Sequence, residues 1–153
     1  MRVSWGFDAH RLGGEPPVLL AGVVVDSARG VLATSDGDLV AHAVADALLG
    51  AAGLGDLGEH FPSSDSQWEG ADSMDLLRSV VAMCSQLDVS FVDITVIAQD
   101  VRVAPHRDAI RENLAAVLGV EPGRVSVKAT TTDGMGAIGA GDGIAATAVV
   151  TAF

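Results

Sequence analysis

Apolar residues recur at every second position along some segments of the chain and at helical spacing along others. Alternating or β-branched runs predict strands over Met1–Asp8, Val89–Ala98, Val125–Thr132 and Gly143–Ala152. The apolar run Pro17–Asp26 is interrupted by an Ala-Gly step, so it predicts a small hairpin or a bent ribbon.

Helical spacing of apolar residues predicts three helices. The first follows the polar cluster Ser35–Asp38, which can accept hydrogen bonds from the free N–H groups of a first helical turn. Its side chains are mostly small, so another backbone can approach it closely. Gly119 is a plausible C-cap for the third helix. The predicted helices are Leu39–Ala52, a segment from Asp72 or Ser73 to about Leu87, and Pro105–Leu118.

The order β, β-ribbon, α, α, β, α, β, β predicts one α/β (α+β) domain over residues 1–153. Its mixed β-sheet would carry helices mainly on one face. The last predicted strand is small and apolar on both faces, and aromatic residues make up only 4% of the chain. We therefore expect the bare face of the sheet to be covered by other copies of the chain.

Composition and charge narrow the possible partners. With 20 acidic and 9 basic residues the formal net charge is −11, which argues against a nucleic-acid partner. No apolar run approaches the roughly 20 residues that span a bilayer, and no leader pattern is apparent, so we expect no membrane partner. The one cysteine, Cys84, is expected in the core, and a cytoplasmic location fits it best.

A metal site is predicted where the first strand approaches the first helix. Asp8 and His10 are two residues apart on a strand and point the same way, and His42 can join them from the helix. Two imidazoles and one carboxylate leave a fourth position open, as in catalytic zinc sites, although manganese or iron would accept the same ligands. Asp46, one turn after His42, either orients that imidazole or is an exposed or capping carboxylate.

Two further segments carry candidate chemistry. Thr130, Thr131, Thr132 and Asp133 end a strand before the glycine-rich loop 134–142, so they could bind phosphates with Mg²⁺, or simply reflect β-propensity. The loop lacks the Gly-Lys-Ser/Thr ending of a P-loop.

The turn before the third helix, residues 98–106, could hold a base and a phosphate, or merely connect two elements. His60 and His106 are expected at surface or helix-terminal positions.

Taken together, the motifs resemble one enzyme family. They are the Asp-x-His pair, the run SDGDxxxHAxxDALLGAxxLGDxGxHFP from Ser35 to Pro62, GADS, AQ before a Pro-His turn, and KATTTD. The chain resembles the 2-C-methyl-D-erythritol 2,4-cyclodiphosphate synthases of the non-mevalonate isoprenoid pathway. This resemblance implies a homotrimer with three active sites between subunits, and Zn²⁺ (or Mn²⁺) together with Mg²⁺ or Mn²⁺. It also implies conversion of a cytidine diphosphate substrate, 4-diphosphocytidyl-2-C-methyl-D-erythritol 2-phosphate, to the cyclic diphosphate and CMP.

The resemblance also implies roles for individual residues. The zinc ligands fall on Asp8, His10 and His42, and the ligand of the second cation, usually Glu, falls on Asp133. A threonine that helps to align the diphosphate falls on Thr131. The remaining substrate-binding positions fall on Ser35, Asp56, Leu57, Gly58, Phe61, Pro62, Ser63, Ser64, Asp65, Ala98, Gln99, Asp100, Val101, Arg102, Val103, Ala104, Thr130, Thr132 and, again, Asp133.

Besides Asp133, and Arg102 in place of a usual lysine, four positions depart from the family pattern. Thr34 stands where the family usually has a catalytic histidine, and Ser63 where it has an aspartate. Ala137 and Ala140 replace an aromatic residue and an arginine of the glycine-rich loop. Two alternative functions therefore stay open at this point: another metal-dependent phosphoesterase, or a weakened nucleotide- or metal-binding trimer on the same scaffold.

Overall fold

A computed structural model describes all residues from 1 to 153. Its strands and helices follow the predicted order, with additional short elements between them. The strands are β1 (Arg2–Leu12), β2 (Val18–Leu20), β3 (Val23–Asp26), β4 (Val31–Leu32), β5 (Val89–Ile97), β6 (Val125–Thr130) and β7 (Gly143–Ala152). The α-helices are α1 (Leu39–Ala52), α2 (Leu57–His60), α3 (Ser73–Met83), α4 (Arg107–Leu118) and α5 (Gly136–Gly139). Short 3₁₀ turns cover Ser66–Trp68, Ala104–His106 and Pro122–Arg124.

Five strands form one mixed sheet in the order β4-β1-β7-β5-β6. Every neighbouring pair is antiparallel except β5 and β6, which run parallel and are joined through α4. β2 and β3 form a separate antiparallel ribbon, as the interrupted apolar run predicted. The single-domain mixed α/β fold expected from the pattern is therefore confirmed.

The contact between α1 and β1 fixes the part of the fold that carries the metal-ligating residues. Gly6 faces α1, and a Cβ atom on it would lie 2.0 Å from the carbonyl oxygen of Ala43 and 2.8 Å from the amide nitrogen of Ala47. Only glycine allows this approach, and the small residues of α1 match it. The expectation of a close backbone contact on this helix is confirmed.

The sheet has one covered and one bare face in the single chain. Along β1 the side chains alternate between the two faces of the sheet. Gly6 is buried under α1, and its neighbours in the strand point to the opposite side. On that opposite side Val3, Trp5, Phe7 and Phe91 are 62%, 61%, 48% and 41% exposed. No helix of the structure combines the length and the apolar character that a membrane crossing requires.

Several predicted boundaries were wrong. β1 continues to Leu12 because its second half pairs with both β7 and β4, so His10 lies inside the strand. α3 ends at Met83, four residues early, where Cys84 caps it by donating to the carbonyl of Val80. β6 ends at Thr130, because after Thr130 the chain leaves the ladder with β5. The four-residue helices α2 and α5 were not predicted.

Candidate active site

Asp8, His10 and His42 meet where β1 passes under α1. Asp8 Oδ2 lies 3.0 Å from His10 Nε2 and 2.8 Å from His42 Nδ1. One ligand atom from each residue lies within 4.8 Å of the other two, which makes this group a candidate metal centre. The structure thus brings together the three side chains that strand and helix spacing singled out.

The charges of this cluster favour a cation between its three side chains. Burial opposes ionisation of Asp8, but the two imidazoles beside its carboxylate, His10 and His42, outweigh burial and hold the pKa of Asp8 well below its usual range. Burial also opposes a charged His42, yet the hydrogen bond to Asp8 and the nearby carboxylates raise the pKa of His42. His10 Nε2 is buried and has no hydrogen-bond partner, although Asp8 is close. A divalent metal would satisfy that nitrogen and supply the positive charge.

The far side of the His42 ring contacts two residues that sequence reasoning did not assign to the site. Ser73 Oγ lies 2.8 Å from His42 Nε2, and the same hydroxyl donates to a carboxylate oxygen of Asp36. Ser35 Oγ is also near, at 3.3 Å from Nε2. The GADS motif was a signal for Ser73, but the sequence could show only that it lies at a helix start.

Asp46 does not orient His42. Its Oδ1 accepts a hydrogen bond of 2.7 Å from the backbone N–H of Leu57, so it joins α1 to the start of α2. Burial raises the pKa of Asp46, and the hydrogen bond from Leu57 acts in the opposite direction. Of the two interpretations of Asp46, the capping one describes the structure.

A pocket of about 210 Å³ opens beside the metal-ligating residues. Its walls are apolar on one side, where Phe61 and Trp68 meet edge to face with ring centroids 5.0 Å apart. The pocket gathers several predicted substrate-binding residues that are far apart in the sequence. Its lining comprises His10, Ala33, Thr34, Ser35, His42, Leu57, Gly58, Phe61, Ser63, Trp68 and Leu76.

Not every predicted residue of the 56–65 segment offers its side chain to this pocket. Asp56 caps α2 by accepting from the N–H of Glu59 at 2.9 Å, and Asp65 accepts from the N–H of Gln67 at 3.1 Å. Ser64 lines an adjoining polar pocket with Thr34 and Ser63, while Pro62 lines neither.

A second pocket, of about 460 Å³, lies between the end of β5, the start of α4 and the end of β6. Arg102 and Arg107 bring two guanidinium groups to it, so it combines cations with apolar walls, as a nucleotide requires. It contains all of the predicted substrate-binding positions from Ala98 to Ala104 except Asp100. Its lining comprises Ala98, Gln99, Val101, Arg102, Val103, Ala104, Pro105, Arg107, Ala129, Thr130 and Thr131.

Three predicted residues lie outside the second pocket. Asp100 faces a separate depression with Arg11 and Arg29. Thr132 donates its hydroxyl hydrogen to the carbonyl of Met135 at 2.7 Å, which fixes the glycine-rich loop. Asp133 is exposed, has a positive φ of 55°, and donates its N–H to Thr131 Oγ1.

The two pockets share no lining residue. Asp8 pairs with Ala146 on β7, Ala146 pairs with Val96 on β5, and Val96 pairs with Ala129 on β6. The second pocket therefore lies beyond β7, with β5 two strand spacings (about 9.5 Å) and β6 three strand spacings (about 14 Å) from the strand that carries Asp8.

Sequence comparison identifies close relatives over almost the whole chain. Residues 1–152 match the YgbB family. The 2-C-methyl-D-erythritol 2,4-cyclodiphosphate synthase of Symbiobacterium thermophilum is 51% identical over 151 residues, 97% of this chain and 96% of that protein. The enzyme of the same name from Marinobacter nauticus is 50% identical over 151 residues, again 97% of this chain and 95% of that protein.

Solved structures agree with these matches. The bifunctional IspDF of Campylobacter jejuni superposes with a TM-score of 0.94 at 40% identity, covering 97% of this chain and 41% of that chain. The CDP complex of IspF from Plasmodium falciparum superposes with a TM-score of 0.84 at 31% identity, covering 97% of this chain and 93% of that chain.

Proposed function

The chain belongs to the YgbB family of 2-C-methyl-D-erythritol 2,4-cyclodiphosphate synthases, and from this we propose that it catalyses the reaction for which those relatives are named. The substrate would be 4-diphosphocytidyl-2-C-methyl-D-erythritol 2-phosphate, and the products the cyclic diphosphate and CMP. The observation that carries the proposal is the convergence of Asp8, His10 and His42 at the edge of a pocket lined by Ser35 and Gly58.

The reaction needs positioning more than acid–base chemistry. An oxygen of the substrate's own 2-phosphate attacks the β-phosphorus, a new P–O–P bond forms, and the bond to the departing CMP breaks. A phosphate is already ionised near neutral pH, so no general base is required, and holding the reacting groups in line supplies much of the rate.

The first pocket would hold the erythritol phosphate part of the substrate. The hydroxyls of Thr34, Ser35 and Ser63 line it, and Phe61 and Trp68 provide an apolar wall that excludes water. The second pocket would hold the cytidine end. There Gln99 is fixed by the N–H of Gly134 at 3.2 Å, and the Thr131 hydroxyl is exposed to align the diphosphate.

We propose that Asp8, His10 and His42 bind a zinc-type divalent cation and that Asp133 contributes to a second site for Mg²⁺ or Mn²⁺. Such cations would polarise the β-phosphate and neutralise charge on the α- and β-phosphates. The donor set fits the first cation, because His10 Nε2 is buried without a partner and Asp8 is kept ionised. Asp133 is a single exposed carboxylate, so its cation would take most of its ligands from the phosphates and water, as Mg²⁺ usually does.

We further propose a homotrimer in which each active site combines the first pocket of one subunit with the second pocket of its neighbour. Two observations support it: the bare apolar face of the sheet, and the separation of the two pockets within one chain.

We propose a cytoplasmic location for the protein. A reducing compartment such as the cytoplasm suits the buried free thiol of Cys84.

The direct test is turnover of the cytidine substrate by the purified protein, with products identified by ³¹P NMR. We expect CMP and the cyclic diphosphate, and we expect both to disappear in His42→Ala. His106→Ala is the matched control, because His106 is a helix-terminal histidine that is not part of the metal-ligating group and lines neither pocket. CMP with an open phosphate product would instead indicate a hydrolase. Binding without CMP release would indicate a nucleotide-binding trimer.

The metal assignment has its own measurement. Metal content per chain, determined by elemental analysis after exhaustive dialysis, should be about one divalent ion for the parent protein and for His106→Ala. His42→Ala removes one of three ligands, so it should lose most of that metal while keeping its helical circular dichroism. Equal metal content in the two variants would contradict the proposed ligand set.

A further inference from the structure

The hydrogen bonds of Ser73, on the outer side of His42, have a defined donor and acceptor at each step. Asp36 is an acceptor, so the hydroxyl hydrogen of Ser73 is committed to it. The backbone N–H of Ser73 also donates to Asp36, at 3.1 Å, which fixes the position of the serine relative to the carboxylate. With its hydrogen committed, the Ser73 oxygen can only accept from His42 Nε2, 2.8 Å away.

This polarity selects one form of the imidazole. Without a metal, Nδ1 donates its hydrogen to Asp8. A hydrogen on Nε2 that is held by Ser73 allows Nδ1 to give up its own hydrogen and present a lone pair when a cation binds. A metal bound by this histidine needs that lone pair. Ser73 is only 1% exposed, so water does not compete readily for the contact.

From this geometry we propose that Ser73 is a positioning residue of the metal site. It holds the His42 ring in the orientation and tautomer in which Nδ1 can bind a cation, and Asp36 in turn orients the Ser73 hydroxyl. The inference rests on the proposed metal site and assigns to it a residue that touches neither metal nor substrate.

The neighbouring hydroxyl of Ser35 does not replace Ser73. Ser35 Oγ is farther from His42 Nε2, at 3.3 Å, and it also accepts from the N–H of Gly37 at 3.2 Å. Only Ser73 passes its hydrogen to a carboxylate. Removing the Ser73 hydroxyl should therefore leave His42 Nε2 with only the longer and weaker hydrogen bond to Ser35 Oγ.

The test compares Ser73→Ala with Ser79→Ala, a variant of the same helix. Ser79 is exposed and its hydroxyl only donates to the carbonyl of Asp75 at 3.0 Å, so it controls for the loss of a serine from α3. Affinity for Zn²⁺ and Co²⁺ is measured by competition with a chromophoric chelator. Ser73→Ala should bind roughly 10- to 100-fold more weakly than the parent, whereas Ser79→Ala should be unchanged.

A spectroscopic measurement separates positioning from simple destabilisation. In the Co²⁺-loaded protein, the paramagnetic metal shifts the ring N–H signals of its histidine ligands away from all others in the proton NMR spectrum. We expect the His42 Nε2–H signal to be sharp in the parent and to broaden by exchange with water in Ser73→Ala. The ring N–H of His10 serves as the internal reference and should stay unchanged.

The possible results distinguish the two claims. Unchanged affinity together with a sharp His42 signal in Ser73→Ala would overturn the role of Ser73 and leave the metal site intact. Failure of the parent protein to bind Zn²⁺ or Co²⁺ would overturn both. Thermal unfolding of the metal-free proteins should show Ser73→Ala still folded, so a change in affinity cannot come from loss of the fold.

Discussion

Asp38 connects two elements through a single buried carboxylate. Its Oδ1 accepts from the N–H of Ala41 at 3.0 Å, which caps α1, and from that of Ala21 at 2.8 Å. Its Oδ2 accepts from the N–H of Gly22 at 2.7 Å. The β2–β3 turn is thereby attached to the helix that carries His42.

Replacing Asp38 by asparagine should destabilise the fold, because an NH₂ group would then face at least one backbone N–H donor. One N–H···O hydrogen bond would be lost and its backbone donor left unsatisfied. We therefore expect the free energy of unfolding to fall by about 2–4 kcal/mol, measured by urea denaturation. Asp26→Asn is the control. Asp26 accepts from the backbone N–H groups of Ala28 and Arg29 through Oδ1, and an amide oxygen can do the same. Its Oδ2 forms only a long, solvent-accessible ion pair of 3.7 Å with Arg29, which contributes little to stability. Equal stability of the two variants would contradict the role of Asp38.

At the scale of elements, the boundaries that are set by local residues are those that the sequence predicts correctly. The predicted and observed limits of α1 agree, because Asp38 caps its first turn and Gly53, with φ of 73°, ends it. The strand-plus-helix spacing also brought Asp8, His10 and His42 together correctly. The limits of α1 and the common direction of Asp8 and His10 depend on residues close in sequence. The meeting of Asp8 with His42, 34 residues away, was expected from the family resemblance as well.

Contacts between distant segments could not be predicted in the same way. Asp46 could have served either of two purposes, and only the position of the Leu57 N–H decided between them. Likewise, Ser73 meets His42 across 31 residues of sequence, at a helix start where the pattern indicated only a cap. α2 and α5 have four residues each, too few to show a helical period.

The packing of β1 against α1 yields a prediction for both stability and metal binding. Gly6→Ala would place a methyl group against the α1 backbone, so the helix must move away from the strand. We expect a loss of about 3 kcal/mol or more in the free energy of unfolding, together with weaker metal binding, since Asp8 and His42 lie on the two separated elements. Gly123→Ala, where no atom lies within 4 Å of the added Cβ, should change neither quantity.

At the scale of the whole molecule, the bare face of the sheet predicts assembly. Light scattering should give the parent protein about three times the chain mass of 15.5 kDa. Trp5→Glu places a charge in the middle of the apolar face and should yield the 15.5 kDa monomer. Val24→Glu, an equally drastic change at an exposed position of the separate ribbon, should leave the trimer intact. A monomeric parent protein at micromolar concentration would contradict the assembly and the shared active site with it.

If each site uses two subunits, inactive variants should complement one another. His42→Ala disables the first pocket and Thr131→Ala weakens the second, so trimers of either variant alone should turn over little substrate. In trimers assembled at random from equal amounts of both, a site is intact when one subunit supplies His42 and its neighbour supplies Thr131. That happens in about one quarter of sites, so co-expressed variants should recover about one quarter of the parent's rate per chain. Separately purified variants, mixed without exchange of subunits, provide the background. Recovery no higher than that background would show that both halves of the site come from the same chain.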